Sequence, residues 1–172
     1  MNMNSRMQPA IVWPTEYTPG ETDNYCSNEV IVKNLSVSDV WDYLIDTKAW
    51  PDYYDNAQNI VVGDGTQTKL SAGVPFTFET FGFLVRAQVW EFEPLKDGVA
   101  RIAWKGVCGE GEGLLDVYHA WLFEDLPGQR VRILTEESQK GKPAVELANT
   151  LPNPMINSHQ AWLTGLVRVA KK

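Results

Sequence analysis

The chain contains two histidines, His119 and His159, and each sits in an apolar stretch. Imidazole titrates closer to neutral pH than any other side chain. A histidine turned into an apolar interior is therefore a hydrogen-bonded structural group, a general acid or base, or a ligand anchor. Leu115, Val117, His119, Trp121 and Phe123 alternate with period two, which sets His119 on the apolar face of a strand. A ring there is costly unless its nitrogens find partners. Glu137 shares parity with Val131, Ile133 and Thr135 in the next apolar run. Across the Pro127-Gly128 turn it falls nearly opposite His119, while a strict two-residue turn pairs His119 with Glu136, so both carboxylates are candidates. A His119–Glu137 pair would orient the ring for acid–base catalysis or ligand anchoring; the competing reading is a satisfied polar pair that holds a hairpin. His159 shares one helical face with Met155, Trp162, Leu163, Leu166 and Ala170, which makes it a second polar candidate.

Seven Trp, six Tyr and six Phe make 11% of the chain aromatic. Trp50, Tyr53, Tyr54, Trp90, Trp104, Tyr118, Trp121 and Trp162 have the flat faces to stack on a planar ligand, or simply to pack a core. Trp50 to Tyr54 lie at a helix break, where a pocket mouth would fall. Arg86 alternates with Leu84, Gln88 and Trp90, opposite the more apolar Phe83, Val85, Ala87 and Val89, and so reads as a solvated residue on an outer face. The run Gly109–Gly113 (GEGEG) lacks the final glycine of a dinucleotide loop, and its two carboxylates would repel phosphate. With two His and two scattered Cys there is no standard zinc spacing, and no nucleophile elbow is present. No metal or cofactor is expected on these grounds. Cys108 carries no mark of activation.

The elements that must position these residues follow from periodicity and turn chemistry. Residues 1–27, with Pro9, Pro14, Pro19 and Gly20, read as an irregular arm pinned by Trp13 and Tyr17, and residues 28–172 as one domain. If the arm were an interaction surface, its removal would leave folding intact. Glu29–Asn34 reads as a first strand. Ser36 and Asp39 have capping-box spacing ahead of the stripe Val37, Val40, Trp41, Leu44 and Ile45. A second short helix is expected from Pro51. Six further strands are expected at Asn59–Val62, Val74–Thr80, Phe83–Glu93, Val99–Lys105, Leu114–Glu124 and Arg130–Ser138, joined by short Gly- and Pro-containing turns that imply an antiparallel meander. Pro143, Pro152 and Pro154 divide the last segment into a short helix and a longer one. The order gives an α+β fold: a seven-stranded curved antiparallel sheet wrapped around a long C-terminal helix.

At 172 residues the chain is long enough for one self-supporting core. Its formal charge of −7, with no basic run beyond Lys171-Lys172, disfavours nucleic acid and anionic membrane surfaces. No apolar run approaches the roughly 18 residues of a membrane helix. The first ten residues lack the apolar stretch of a signal peptide, and Cys26 and Cys108 make no disulfide framework, so a cytoplasmic setting is expected.

The run SVSDVWDYLIDTKAWPDYY, the hairpin HAWLFEDLPGQRVRILTEESQKG and the terminal HQAWLTGLVRVAKK resemble the opening, penultimate hairpin and gripping helix of the START-like (SRPBCC) superfamily, the helix-grip fold. The resemblance spans roughly residues 28–172. It implies a cavity between sheet and last helix that takes a hydrophobic or aromatic small molecule, lipid- or polyketide-like, as in bacterial proteins called polyketide cyclase or lipid-transport-like. In that cavity Trp50, Tyr53, Tyr54, Trp104, Trp121, His159, Trp162 and Leu163 would line the ligand. The alternatives it leaves open are a polyketide aromatase/cyclase or dehydratase using His119 with Glu137, and a ligand-free interaction module. Fold does not decide among them.

Overall fold

The computed structural model describes residues 6–172. Strand β1 runs Asn24–Lys33 and alternates strictly between buried and exposed over its first six residues, with Asn24, Cys26 and Asn28 facing in. Helix α1 (Val37–Ile45) starts where the sequence indicates: the Ser36 backbone N–H donates to Asp39 Oδ2 at 2.7 Å, closing a capping box, and the stripe Val37, Val40, Trp41, Leu44 and Ile45 is buried. Helix α2 (Trp50–Tyr53) carries Pro51 in its first turn, where a missing N–H does no harm.

Six strands follow: β2 (Gln58–Val62), β3 (Pro75–Thr80), β4 (Phe83–Lys96), β5 (Val99–Cys108), β6 (Leu115–Leu126) and β7 (Arg130–Lys140). They pair antiparallel with β1 in the order β1-β7-β6-β5-β4-β3-β2. Helices α3 (Lys142–Ala148) and α4 (Pro154–Ala170) close the chain. Trp162, Leu163 and Leu166 of α4 enter one core cluster with Trp104, Trp121 and Ile133 of the sheet and with α1 and α2. Each such fully buried side chain contributes about 1.5–3 kcal/mol, enough to hold α4 in the grip of the sheet.

One expectation is corrected. Strand β1 begins at Asn24, not Glu29, because its first half pairs residue by residue with β7 (Cys26 opposite Glu137) although its sequence is polar. The arm lies against the body through Trp13 and Tyr17. Ile11 and Tyr17 are buried in a second core on the outer face of the sheet with Ala103, Tyr118, Ala120, Leu122 and Leu134, and Trp13 packs against it. This cover buries both faces of β6, so the single apolar face read from alternation becomes a run of eight buried residues, Val117–Glu124.

Gly165 sets how closely α4 can approach α2. A Cβ there would meet the Tyr53 carbonyl oxygen at 2.0 Å. Gly165→Ala is therefore expected to lower stability by about 3 kcal/mol, seen as a fall in the urea midpoint with an unchanged slope.

Candidate functional site

The hairpin joining β6 and β7 settles the register. Leu126 pairs with Arg130, which leaves a three-residue loop in which Gly128 and Gln129 both adopt positive φ. One residue beyond a two-residue turn, this loop sets His119 opposite Glu137. Glu136 falls on the other face, accepting from the Ser27 hydroxyl at 2.9 Å at the surface.

Inside, Glu137 lies between two imidazoles. Its Oε2 is 3.2 Å from His119 Nδ1 and 3.4 Å from His159 Nε2. The two rings stack at 4.3 Å with an interplanar angle of 20°. Their other nitrogens are also occupied: His119 Nε2 lies 2.8 Å from the Thr135 hydroxyl, and His159 Nδ1 lies 3.3 Å from Cys26 Sγ. The second carboxylate oxygen, Oε1, accepts from the Gln139 amide. Gln139 in turn accepts from Asn24 Nδ2 at 2.7 Å, and Asn24 from Asn153 Nδ2 at 2.7 Å. Asn153 caps α4 by accepting from Met155 N–H at 3.1 Å. A continuous polar thread thus runs from the start of α4 to the buried carboxylate.

All three members are buried, with relative exposures of 2% for His119, 5% for Glu137 and 3% for His159. Burial, and then the neighbouring His159, push the His119 imidazolium down to about 3, against a smaller upward pull from Glu137. For Glu137, burial acts upward, but the two histidines and the Gln139 amide prevail and hold the carboxyl below its usual range. Burial keeps Cys26 a thiol. The consistent assignment is a neutral His119 donating from Nδ1 to the carboxylate and accepting at Nε2 from Thr135. The Thr135 hydroxyl proton has a second acceptor in Ala120 O at 3.2 Å. The carboxylate thus fixes the tautomer of a neutral imidazole, while burial keeps that imidazole a weak base in the closed interior. Nitrogen and oxygen donors within 4.8 Å of one another also make His119, Glu137 and His159 the group, among the described residues, with the means to hold a metal ion. The sequence spacing gave no sign of this, because the three come from β6, β7 and α4.

Around the cluster lies an aromatic shell. Trp104 meets His119 at 4.9 Å, Tyr54 stacks on Trp162 at 4.6 Å and 13°, and Trp50 meets Trp162 edge-on at 4.9 Å. Tyr54 also shares a 2.7 Å hydrogen bond with Ser158 of α4. The indole N–H groups of Trp121 and Trp162 are buried without a hydrogen-bond partner among the described residues. These rings occupy the space expected to be hollow, since indoles from both the sheet and α4 meet across it. Two depressions, of about 590 Å³ and 290 Å³, lie elsewhere: one on the outer face among Tyr17, Val61, Thr77, Arg86 and Lys105, the other beside α2 and β2.

The candidates therefore divide. His119, Glu137, His159, Trp104, Trp121 and Trp162 meet in one place, with Trp50 and Tyr54 against Trp162. Tyr53 ties its hydroxyl to Tyr43 O at 2.9 Å, and Leu163 is a fully buried core residue. Trp90 is 57% exposed with Lys105 over its ring at 3.7 Å, and Tyr118 packs under the arm. Arg86 is exposed on the outer face, as read. Cys26, Thr135, Gln139 and Asn24 were missed. The period-two spacing of Asn24, Cys26 and Asn28, and of Thr135, Glu137 and Gln139, carried the signal.

The chain matches no family model and no curated protein. Among solved structures it is similar to a hypothetical protein from Helicobacter pylori, at 51% identity over 96% of this chain and 99% of that one, with a TM-score of 0.92. It shares its fold with the norcoclaurine synthase of Thalictrum flavum (13% identity, 86% and 93% covered, TM-score 0.58) and with Ara h 8.0201 (12% identity, 86% and 98% covered, TM-score 0.61).

A histidine held neutral gives stability a definite pH dependence. The folded protein refuses a proton that the unfolded chain accepts below about 6.5, so stability falls as pH drops from there toward 3. Urea midpoints between pH 7 and 4 should show a loss of about 1 kcal/mol per pH unit that is shallower in His119→Gln. The same acid slope in both proteins would contradict the assignment.

Proposed function

We propose that the chain, which has the helix-grip fold, is a START-like (SRPBCC) protein that binds a hydrophobic or aromatic small molecule, lipid- or polyketide-like, between the sheet and α4, with the ligand's polar end at His119, Glu137 and His159. The observation that carries this reading is an ionisable cluster sunk in an aromatic core beside a Trp121 N–H that has no partner among the described residues. Well-packed apolar residues in place of buried charged groups are often neutral or stabilising, so stability alone gives little reason to keep such a cluster. An unpaired buried donor calls for an acceptor, which a carbonyl or carboxylate oxygen of a ligand would supply. The stacked Tyr54 and Trp162 rings offer the flat faces that a planar ligand would take over. Binding in this mode requires α4 to ease away from α2, since the side chains fill the interior in the unliganded arrangement.

The contact between His119 and Glu137 favours a second reading, acid–base catalysis of the cyclase or dehydratase type. His119, its tautomer fixed by Glu137, would take a proton from a carbon next to a carbonyl once α4 eases away, because burial in the closed interior leaves the ring too weak a base for that step. Norcoclaurine synthase, described in complex with a transition state analogue, is an enzyme on this fold.

Native mass spectrometry and thermal shift against a panel of fatty acids, polyphenols and poly-β-ketone mimics test both. One ligand per chain is expected, with affinity reduced about tenfold or more in folded His159→Ala and Trp162→Ala. Binding unchanged in both variants, or absent across the panel, would remove the first reading. Equal turnover of the poly-β-ketone mimics by wild type and His119→Ala would remove the second.

A further inference from the structure

The donor atoms of the buried cluster stand farther apart than tight charged hydrogen bonds, at 3.2 and 3.4 Å from the shared Glu137 Oε2. A tetrahedral ion with bonds of about 2.0–2.1 Å to nitrogen and oxygen separates its ligands by roughly 3.4 Å. All three donors lie within 4.8 Å of one another. Each is also held from behind. Thr135 meets the far nitrogen of His119, Cys26 that of His159, and Gln139 the far oxygen of Glu137, with Asn24 and Asn153 behind Gln139. Metal-binding imidazoles and carboxylates are supported in this way, which fixes their orientation. Charge points in the same direction. Among the described residues, no Lys or Arg comes within ion-pair distance of the Glu137 carboxylate, so the cation that offsets it is either a protonated imidazole or a bound metal ion.

We propose that His119, Glu137 and His159 form a binding site for one divalent first-row transition metal ion, with Nδ1, Oε2 and Nε2 as its protein ligands. Binding shifts the His119 proton from Nδ1 to Nε2, where it is donated to the Thr135 hydroxyl, which in turn donates to Ala120 O. Two imidazoles and one carboxylate suit Zn(II), Co(II) or Fe(II) rather than Mg(II) or Ca(II), which prefer oxygen. The stacked rings splay from their 20° arrangement so that both lone pairs converge, and Cys26 stays behind His159 as its hydrogen-bond partner. Three protein ligands leave a fourth position for water or for an oxygen of a bound molecule. The site uses the residues to which the organic-ligand reading assigns the ligand's polar end, but it needs no organic ligand to form and is tested without one.

The test uses the untagged full chain with Co(II) and Zn(II) alone. Since the chain has only these two histidines, any imidazole signal that responds to metal belongs to them. Wild type is expected to take up one Co(II) per chain with the visible bands of a tetrahedral complex, and Zn(II) should displace it. Glu137→Gln and His159→Ala should abolish stoichiometric uptake, while Cys26→Ala should weaken it by about 10-fold or more. The wild-type spectrum decides the matter even if a variant fails to fold. No stoichiometric Co(II) or Zn(II) on wild type, or uptake equal in all folded variants, overturns the proposal and leaves the organic-ligand titration unaffected.

Discussion

Glu137 holds a carboxylate in a core from which water is excluded, and the groups placed to balance it are two imidazoles stacked at 4.3 Å. The surrounding architecture is arranged to tolerate this. Strand β7 brings Thr135, Glu137 and Gln139 inward at period two, β6 sets His119 opposite, β1 contributes Asn24 and Cys26, and α4 lays His159 across the top. Every nitrogen and oxygen of the three central side chains has a neighbour. Removing one neighbour would leave a buried polar group without a partner, a larger loss than the modest net gain of the bond itself.

The aromatic shell and the N-terminal arm serve this interior from opposite sides. Trp50, Trp104, Trp121 and Trp162 close the inner face around the cluster, and Ile11, Trp13 and Tyr17 close the outer face behind β5–β7. β6 and β7 are covered on both sides, and α4 packs against their inner face. α4 is tied by directional contacts near its start, through Asn153, Ser158 and Ile156, whose carbonyl oxygen accepts from Asn28, and by apolar packing further on. Opening near its start would uncover the histidines first.

Much of this was legible in the residues. Alternation in Leu115–Phe123 turned His119 inward, and the helical stripe did the same for His159. The choice between Glu136 and Glu137 hung on a single loop residue, Gln129, whose positive φ no propensity favours. The inward face of early β1 was hidden because Asn24 to Asn28 is polar on both sides and reads as loop. The expected hollow failed for a different reason. Free volume is the small difference between a curved sheet's envelope and the side chains filling it, and four indoles consume that difference in a way no spacing rule measures.

The account stands on the interior, and not the outer groove, as the place where a small molecule meets the protein. Nitrogen-edited NMR of the His119 and His159 rings and of the Trp121 and Trp162 indole N–H groups, followed during titration with the aromatic panel, tests this directly. Saturable shifts at those four side chains, with the Trp121 N–H gaining a hydrogen bond, are expected. Indole and imidazole signals that stay fixed while resonances around Arg86 and Lys105 move would contradict it.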